Sequence, residues 1–139
     1  MRTVVAAVIE RNDRRLLIGQ RRRNDTSPLK WEFPGGKVEK GETPEEALAR
    51  ELREELGVQL LRCVPLGKVQ HQYAQLNEIL EILFYAAAIE PAEVVPKTFE
   101  QVAWVLPKEL GQYDFLAANA QLIANLATGK IKPTEFLQQ

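Results

Sequence analysis

The feature that most limits how this chain can fold is the stretch from Thr43 to Gly57, which carries the start, the buried face and the stop of one helix. Thr43 is a good side-chain cap. Pro44 suits the first helical position, and Glu46 stands three residues after the cap, as a capping box requires. Leu48, Leu52 and Leu56 recur every four residues and form an apolar stripe. Gly57 suits the left-handed stop. The pattern predicts a helix over 44–56. The same periodicity gathers Glu51, Glu54 and Glu55, at i, i+3 and i+4, on one face. Like charges at this spacing repel by roughly 0.2–0.5 kcal/mol per pair, a cost that folding does not require.

A bound divalent cation would remove that cost. Magnesium takes oxygen ligands and binds carboxylates together with substrate phosphates, so the face suits metal-assisted attack of water on phosphorus. Arg50 is adjacent and can hold one carboxylate through a bidentate pair. Glutamate-rich helices also occur as plain solvated faces. Glu42, Glu45 and Glu46 are read that way, favouring the helix N-terminus through its dipole.

The rest of the chain supplies strands and a second helix. Val4–Ile9 is an apolar β-branched run. Asn12-Asp13 marks a turn, and Leu16–Gly19 is expected to return beside the first strand. Residues 21–28 form a polar loop, and Phe33-Pro34-Gly35-Gly36 reads as a turn. Further strands are expected near Cys63–Gln72, Ile79–Ile89 and Val102–Leu106. An amphipathic helix is expected over Phe115–Leu126, with a loose tail from Lys130. Strands before, between and after two helices imply an α/β fold in which a mixed sheet carries packed helices.

Length and charge set further limits. The 139 residues fit one domain, 1–139. A formal net charge of −1 gives no basic field for a nucleic-acid polymer. The single cysteine, Cys63, precludes an internal disulfide and fits a reducing compartment. Thr3–Ile9 is too short to span a bilayer and has no signal-cleavage pattern, so a cytoplasmic location without membrane association is expected.

Gly36, Glu42, Arg50, Glu51, Glu54, Glu55 and Gly57 stand in the order G-x5-E-x7-R-E-U-x-E-E-x-G-U, with Leu52 and Val58 at the apolar U positions. By average composition, seven fixed matches arise by chance on the order of once in 10^8 starting points. This is the complete Nudix box, residues 36–58. The chain resembles the MutT-type Nudix hydrolases over nearly its whole length, including the entry Trp31-Glu32-Phe33-Pro34-Gly35-Gly36-Lys37-Val38-Glu39.

The resemblance implies an α/β/α sandwich with a mixed β-sheet between helices. It also implies Mg2+-dependent hydrolysis of a nucleoside triphosphate to monophosphate and pyrophosphate, with Mn2+ as a possible substitute. By position, Glu54 and Glu55 would be the main metal ligands and Glu51 a further one. The carbonyl of Gly35 or Gly36 would add an oxygen, and Arg50 would orient the carboxylates. The general base stays open. In MutT-type enzymes it often precedes a late-strand tryptophan by six residues. Here Trp104 is that tryptophan and Thr98 occupies the position, so either the nearby Glu100 reaches in or a box glutamate such as Glu51 serves.

For the substrate, family position points to Arg21 or Arg22 on the phosphates and Asn119 on the base edge. Phe33 is a candidate for the base pocket or for the core, and Tyr73 is a candidate to stack on the base. Oxidation of guanine at C8 turns the N7 acceptor into an N–H donor. An asparagine amide, with one donor group and one acceptor, pairs with O6 and N7–H together and clashes with ordinary guanine. That makes 8-oxo-dGTP the leading substrate. CTP, dCTP or a modified pyrimidine nucleotide is the close rival. A departure from some MutT-type chains, Asn77-Glu78 where they carry an arginine, leaves base recognition open. A non-catalytic nucleotide-binding Nudix module is the rival from another class, though such modules usually lose box carboxylates. The oligomeric state, monomer or small homo-oligomer, is not fixed by the sequence.

Overall fold

The computed structural model describes residues 1–72 and 77–138. Two sheets form the centre. The first has the order β4-β1-β6-β5, from β4 (Gly35–Lys37), β1 (Arg2–Ile9), β6 (Leu80–Ile89) and β5 (Leu60–His71). It is mixed, because β1 and β6 run parallel while the other pairs are antiparallel. The second is β3-β2-β7, from β3 (Trp31–Glu32), β2 (Leu16–Gln20) and β7 (Gln101–Val105).

Side chains alternate across a strand, and β1 shows what this does. Val5, Ala7 and Ile9 pack with Ala47, Leu48, Leu52 and Leu56 of helix α1 (Pro44–Leu56). Ala6 and Val8 face the other way, toward Leu122 and Leu126 of helix α2 (Ala120–Ala127). Two cores thus sit on opposite faces of one strand, the α/β/α layering expected. Helix α1 has the expected bounds. Its capping box is formed by Thr43 and Glu46, and Gly57 closes it at φ 69°.

Four expectations are corrected. Strand β2 does not form a ladder with β1, and a single bridge between Glu10 and Leu16 joins them. Both edges of β1 are already taken, by β4 and β6, so β2 pairs with β3 and β7 instead. The segment Gly35–Lys37 is a strand against Val4–Ala6 rather than a turn. Helix α2 begins at Ala120, after a 3-10 turn over Ala117–Asn119. Residues 114–116 are held extended on Trp31, whose N–H donates to the Asp114 carbonyl at 2.9 Å and whose carbonyl accepts from the Leu116 N–H at 3.0 Å. Finally, the tail is not loose. Pro133 starts helix α3 (Pro133–Leu137), where Glu10 accepts from the Thr134 backbone N–H at 3.2 Å and Arg62 donates to the Leu137 carbonyl. Among the described residues, no helix is long and apolar enough to cross a membrane.

Candidate active site

Helix α1 and strand β4 meet along one line. The Gly35 N–H donates to Glu55 Oε1 at 2.9 Å, tying the strand to the helix face that carries the acids. Both glycines are needed for closeness. A Cβ on Gly35 would lie 1.9 Å from the Val5 carbonyl oxygen, and one on Gly36 would lie 2.4 Å from Cδ of Glu51.

Arg50 organises the carboxylates. Its Nε and Nη2 grip Glu42 at 2.7 and 3.0 Å, and Nη1 donates to Glu51 at 2.8 Å and to Glu54 at 3.3 Å. Nη2 also donates to the Lys37 carbonyl at 2.9 Å. The plain, solvated role expected for Glu42 is therefore corrected. It is the main anchor of Arg50, and the guanidinium holds its carboxyl down to about 2. The signal was present, since Glu42 is a fixed position of the box. Glu46 serves the capping box, while Glu45 accepts from the Tyr85 hydroxyl at 3.3 Å.

The inner acids show the cost of burying like charges together. Loss of water pushes the Glu55 carboxyl up to about 9, with Glu32 and Glu51 adding repulsion against the help of the Gly35 N–H. Burial likewise raises Glu32 to about 7 against the attraction of Arg21. Glu51 is raised too, first by burial, despite Arg50. The donors are all oxygen, which fits a hard cation. The carboxylates do not yet converge, for among the described residues no three acidic, histidine or cysteine side chains surround one cation-sized position. Glu54 is 57% exposed and stays tethered to Arg50 Nη1 at 3.3 Å.

Gly35, Gly36, Glu51, Glu54 and Glu55 line a cavity of about 720 Å3. Its wall continues past β4 to Val4, Ala6, Leu80 and Ile82 on the opposite face of the sheet, and to Phe33, Leu116 and Asn119. A single space thus has an acidic end and an apolar end. Phe33 is 3% exposed and meets the rings of Phe84 and Phe115 at 6.5 and 5.5 Å, so it serves core and wall at once. Asn119 is only 5% exposed, and its amide donates to the Leu116 carbonyl at 3.3 Å.

Other candidates sit differently. Arg21 lines the cavity, but its guanidinium is occupied. It donates to the Thr26 carbonyl at 2.7 Å and hydroxyl at 2.8 Å, and pairs with Asp25 at 3.1 Å and Glu32 at 3.2 Å. Arg22 donates to the Lys97 carbonyl at 2.8 Å, outside the cavity wall. Glu100 is also outside it, 4.0 Å from Arg23, whereas Thr98 and Phe99 are in the wall. Glu32 also lines the cavity, a position the box pattern does not single out. The signal was an acid between Trp31 and Phe33, two buried aromatics. Tyr73 lies outside the described residues.

The NUDIX domain family model matches residues 1–126. An 8-oxo-dGTP diphosphatase of Haemophilus influenzae is 34% identical over 123 residues, covering 88% of this chain and 89% of that protein. The CTP pyrophosphohydrolase of Escherichia coli is 33% identical over 135 residues, covering 95% and 96%. The solution structure of the E. coli ORF135 protein superposes with a TM-score of 0.80 at 30% identity, covering 94% of this chain and 91% of that one.

Proposed function

The chain belongs to the NUDIX domain family, and on that premise we propose that it is a magnesium-dependent nucleoside triphosphate pyrophosphohydrolase with 8-oxo-dGTP as its leading substrate. The family chemistry is hydrolysis of a phosphoanhydride bond. The observation that carries the reading is one cavity with the box carboxylates at one end and a buried asparagine amide at the other. In support, the H. influenzae relative bears the name 8-oxo-dGTP diphosphatase. The E. coli relative named CTP pyrophosphohydrolase, at equal similarity, keeps CTP as the second reading.

In this proposal Glu54 and Glu55, with Glu51 and a carbonyl of Gly35 or Gly36, hold the metal. Magnesium, when bound, supplies charge neutralisation for the phosphates and a more acidic water. Arg50 restrains Glu51 and Glu54 so that neither swings freely. A water attacks the β-phosphorus, and its new O–P bond forms as the bridging oxygen leaves with the α-phosphate, giving nucleoside monophosphate and pyrophosphate. Glu51 is assigned the proton of that water, a choice of a box glutamate that the position of Glu100 beside Arg23, outside the cavity wall, supports. Glu100→Gln should therefore keep its rate within about threefold, whereas removal of a working general base costs roughly 10^2–10^4-fold. A loss of that size would move the base to Glu100.

The decisive experiment is a pyrophosphate-release screen with magnesium, comparing 8-oxo-dGTP, dGTP, dCTP and CTP. Preference for 8-oxo-dGTP over dGTP is expected. A site built on polar pairing can discriminate by about 10^4, so Asn119→Ala should lower the ratio between those two at least about tenfold. An unchanged ratio would remove Asn119 from base recognition, and a preference for CTP would install the second reading.

A further inference from the structure

We infer that Arg2, held in place by Glu78, determines base specificity by donating hydrogen bonds to a carbonyl oxygen of the base at the outer end of the cavity. This rests on the nucleotide reading above and deepens it. Arg2, Val4 and Ala6 alternate with Val5 and Ala7, so all three are on the face of β1 that looks toward α2. Their neighbours on β6 are Leu80, Ile82 and Phe84. Arg2, Val4, Ala6, Leu80 and Ile82 line the cavity. Its floor is therefore apolar sheet with a guanidinium at one end.

Which end follows from the register. Ala6 lies opposite Gly35, the residue whose N–H holds Glu55. Arg2 is four residues away, about 13 Å along the strand. Its side chain also leans outward. Arg2 Nη2 is 2.7 Å from Oε1 of Glu78, and Glu78 precedes Leu80, the first residue of β6, which is itself paired with Arg2. The guanidinium is thereby drawn away from the acidic end, where the phosphates would sit. Lys37, the other cation on this floor, lies opposite Val4 and nearer the acids, with its carbonyl bound by Arg50.

Chemistry narrows the ligand. A guanidinium has five N–H donors and no acceptor, and the contact with Glu78 occupies one side of the fork. The remaining donors match an oxo group on a base edge and not an amino group. Arg2 and Glu78 are each about 40% exposed, and an exposed pair of this kind adds only about 0–1 kcal/mol to folding. Both residues can therefore be changed without unfolding the protein. The pairing restrains the guanidinium before a ligand arrives.

The test compares 8-oxo-dGTP with 8-oxo-dATP, which carries an amino group where the former has its 6-oxo group, in wild type, Arg2→Met, Arg2→Lys and Glu78→Gln. Arg2→Met should raise KM for 8-oxo-dGTP about tenfold, with kcat within about twofold, and leave 8-oxo-dATP little changed, so that the oxo-to-amino preference narrows. Arg2→Lys, which keeps a donor, should recover part of it, and Glu78→Gln should fall between wild type and Arg2→Met. Thermal midpoints should stay within a few degrees of wild type. Equal KM changes for both nucleotides, or none, would overturn the inference while leaving the pyrophosphohydrolase reading intact. Failure of the wild-type protein to release pyrophosphate from any nucleoside triphosphate would remove both.

Discussion

Glu55→Gln should lose at least about 10^2 in rate, a barrier increase of roughly 2.7 kcal/mol, while making the metal-free protein more stable at alkaline pH. The two effects have one cause. Glu55 is a half-buried carboxyl pushed up to about 9 by loss of water and by Glu32. Between the ordinary carboxyl value and pH 9, the folded protein holds a proton that the unfolded chain has released. Folding stability then falls as pH rises through that window, because the folded state binds more protons. Below the window both states are protonated and the penalty is absent. Glutamine keeps the shape and can still accept from the Gly35 N–H, but it never acquires the charge.

Thermal midpoints in chelator should therefore decline for wild type between pH 7 and pH 9 and stay nearly level for the variant. Glu32, raised to about 7, should leave both proteins a slope at lower pH. Magnesium should then stabilise wild type more than the variant at pH 8–9, since a ligand that binds only the folded state raises its stability. A wild-type midpoint indifferent to pH in chelator would show that Glu55 is not held protonated in the folded state. A near-normal rate in the variant would take Glu55 out of the metal set.

What the sequence made legible was whatever depended on near neighbours. Helix α1 has its cap, stripe and stop within fifteen residues, and the structure gives the same bounds. Glu51, Glu54 and Glu55 lie within five residues of one another, so helical spacing alone placed them together. The partner of β2 was a different kind of question. Its answer depends on β4 and β6 having filled both edges of β1, and nothing near Leu16 records that. Helix α2 was expected too early because Phe115 and Leu116 extend its apolar pattern locally but are held extended on Trp31, more than eighty residues away. Arg21 shows the same limit in the cavity. Its type suits a phosphate, yet Asp25, Thr26 and Glu32 already use its donors. Burial of Asn119, only 5% exposed, was likewise invisible from its neighbours in the sequence.

Gly35→Ala should damage both stability and catalysis, where Gly111→Ala should damage neither. A methyl at position 35 would stand 1.9 Å from the Val5 carbonyl oxygen and 2.8 Å from Cα of Ala6. These are backbone atoms of a strand buried on both faces, so β1 cannot yield, and β4 must move instead. Overpacking of this kind typically costs about 1–3 kcal/mol, and this contact belongs at the upper end because no rotamer change relieves it. Movement of β4 also withdraws the Gly35 N–H from Glu55, now at 2.9 Å, and shifts the carbonyls proposed to face the metal. A misplacement of about 1 Å in such a site can cost on the order of 10^2 in rate. A Cβ on Gly111 would meet nothing within 4 Å, so that variant controls for loss of a glycine as such. Thermal midpoints and magnesium-dependent pyrophosphate release should separate the two cleanly. If Gly35→Ala retained the wild-type midpoint and rate, the close approach of β4 to β1 would not be what seats the acidic helix face against the cavity.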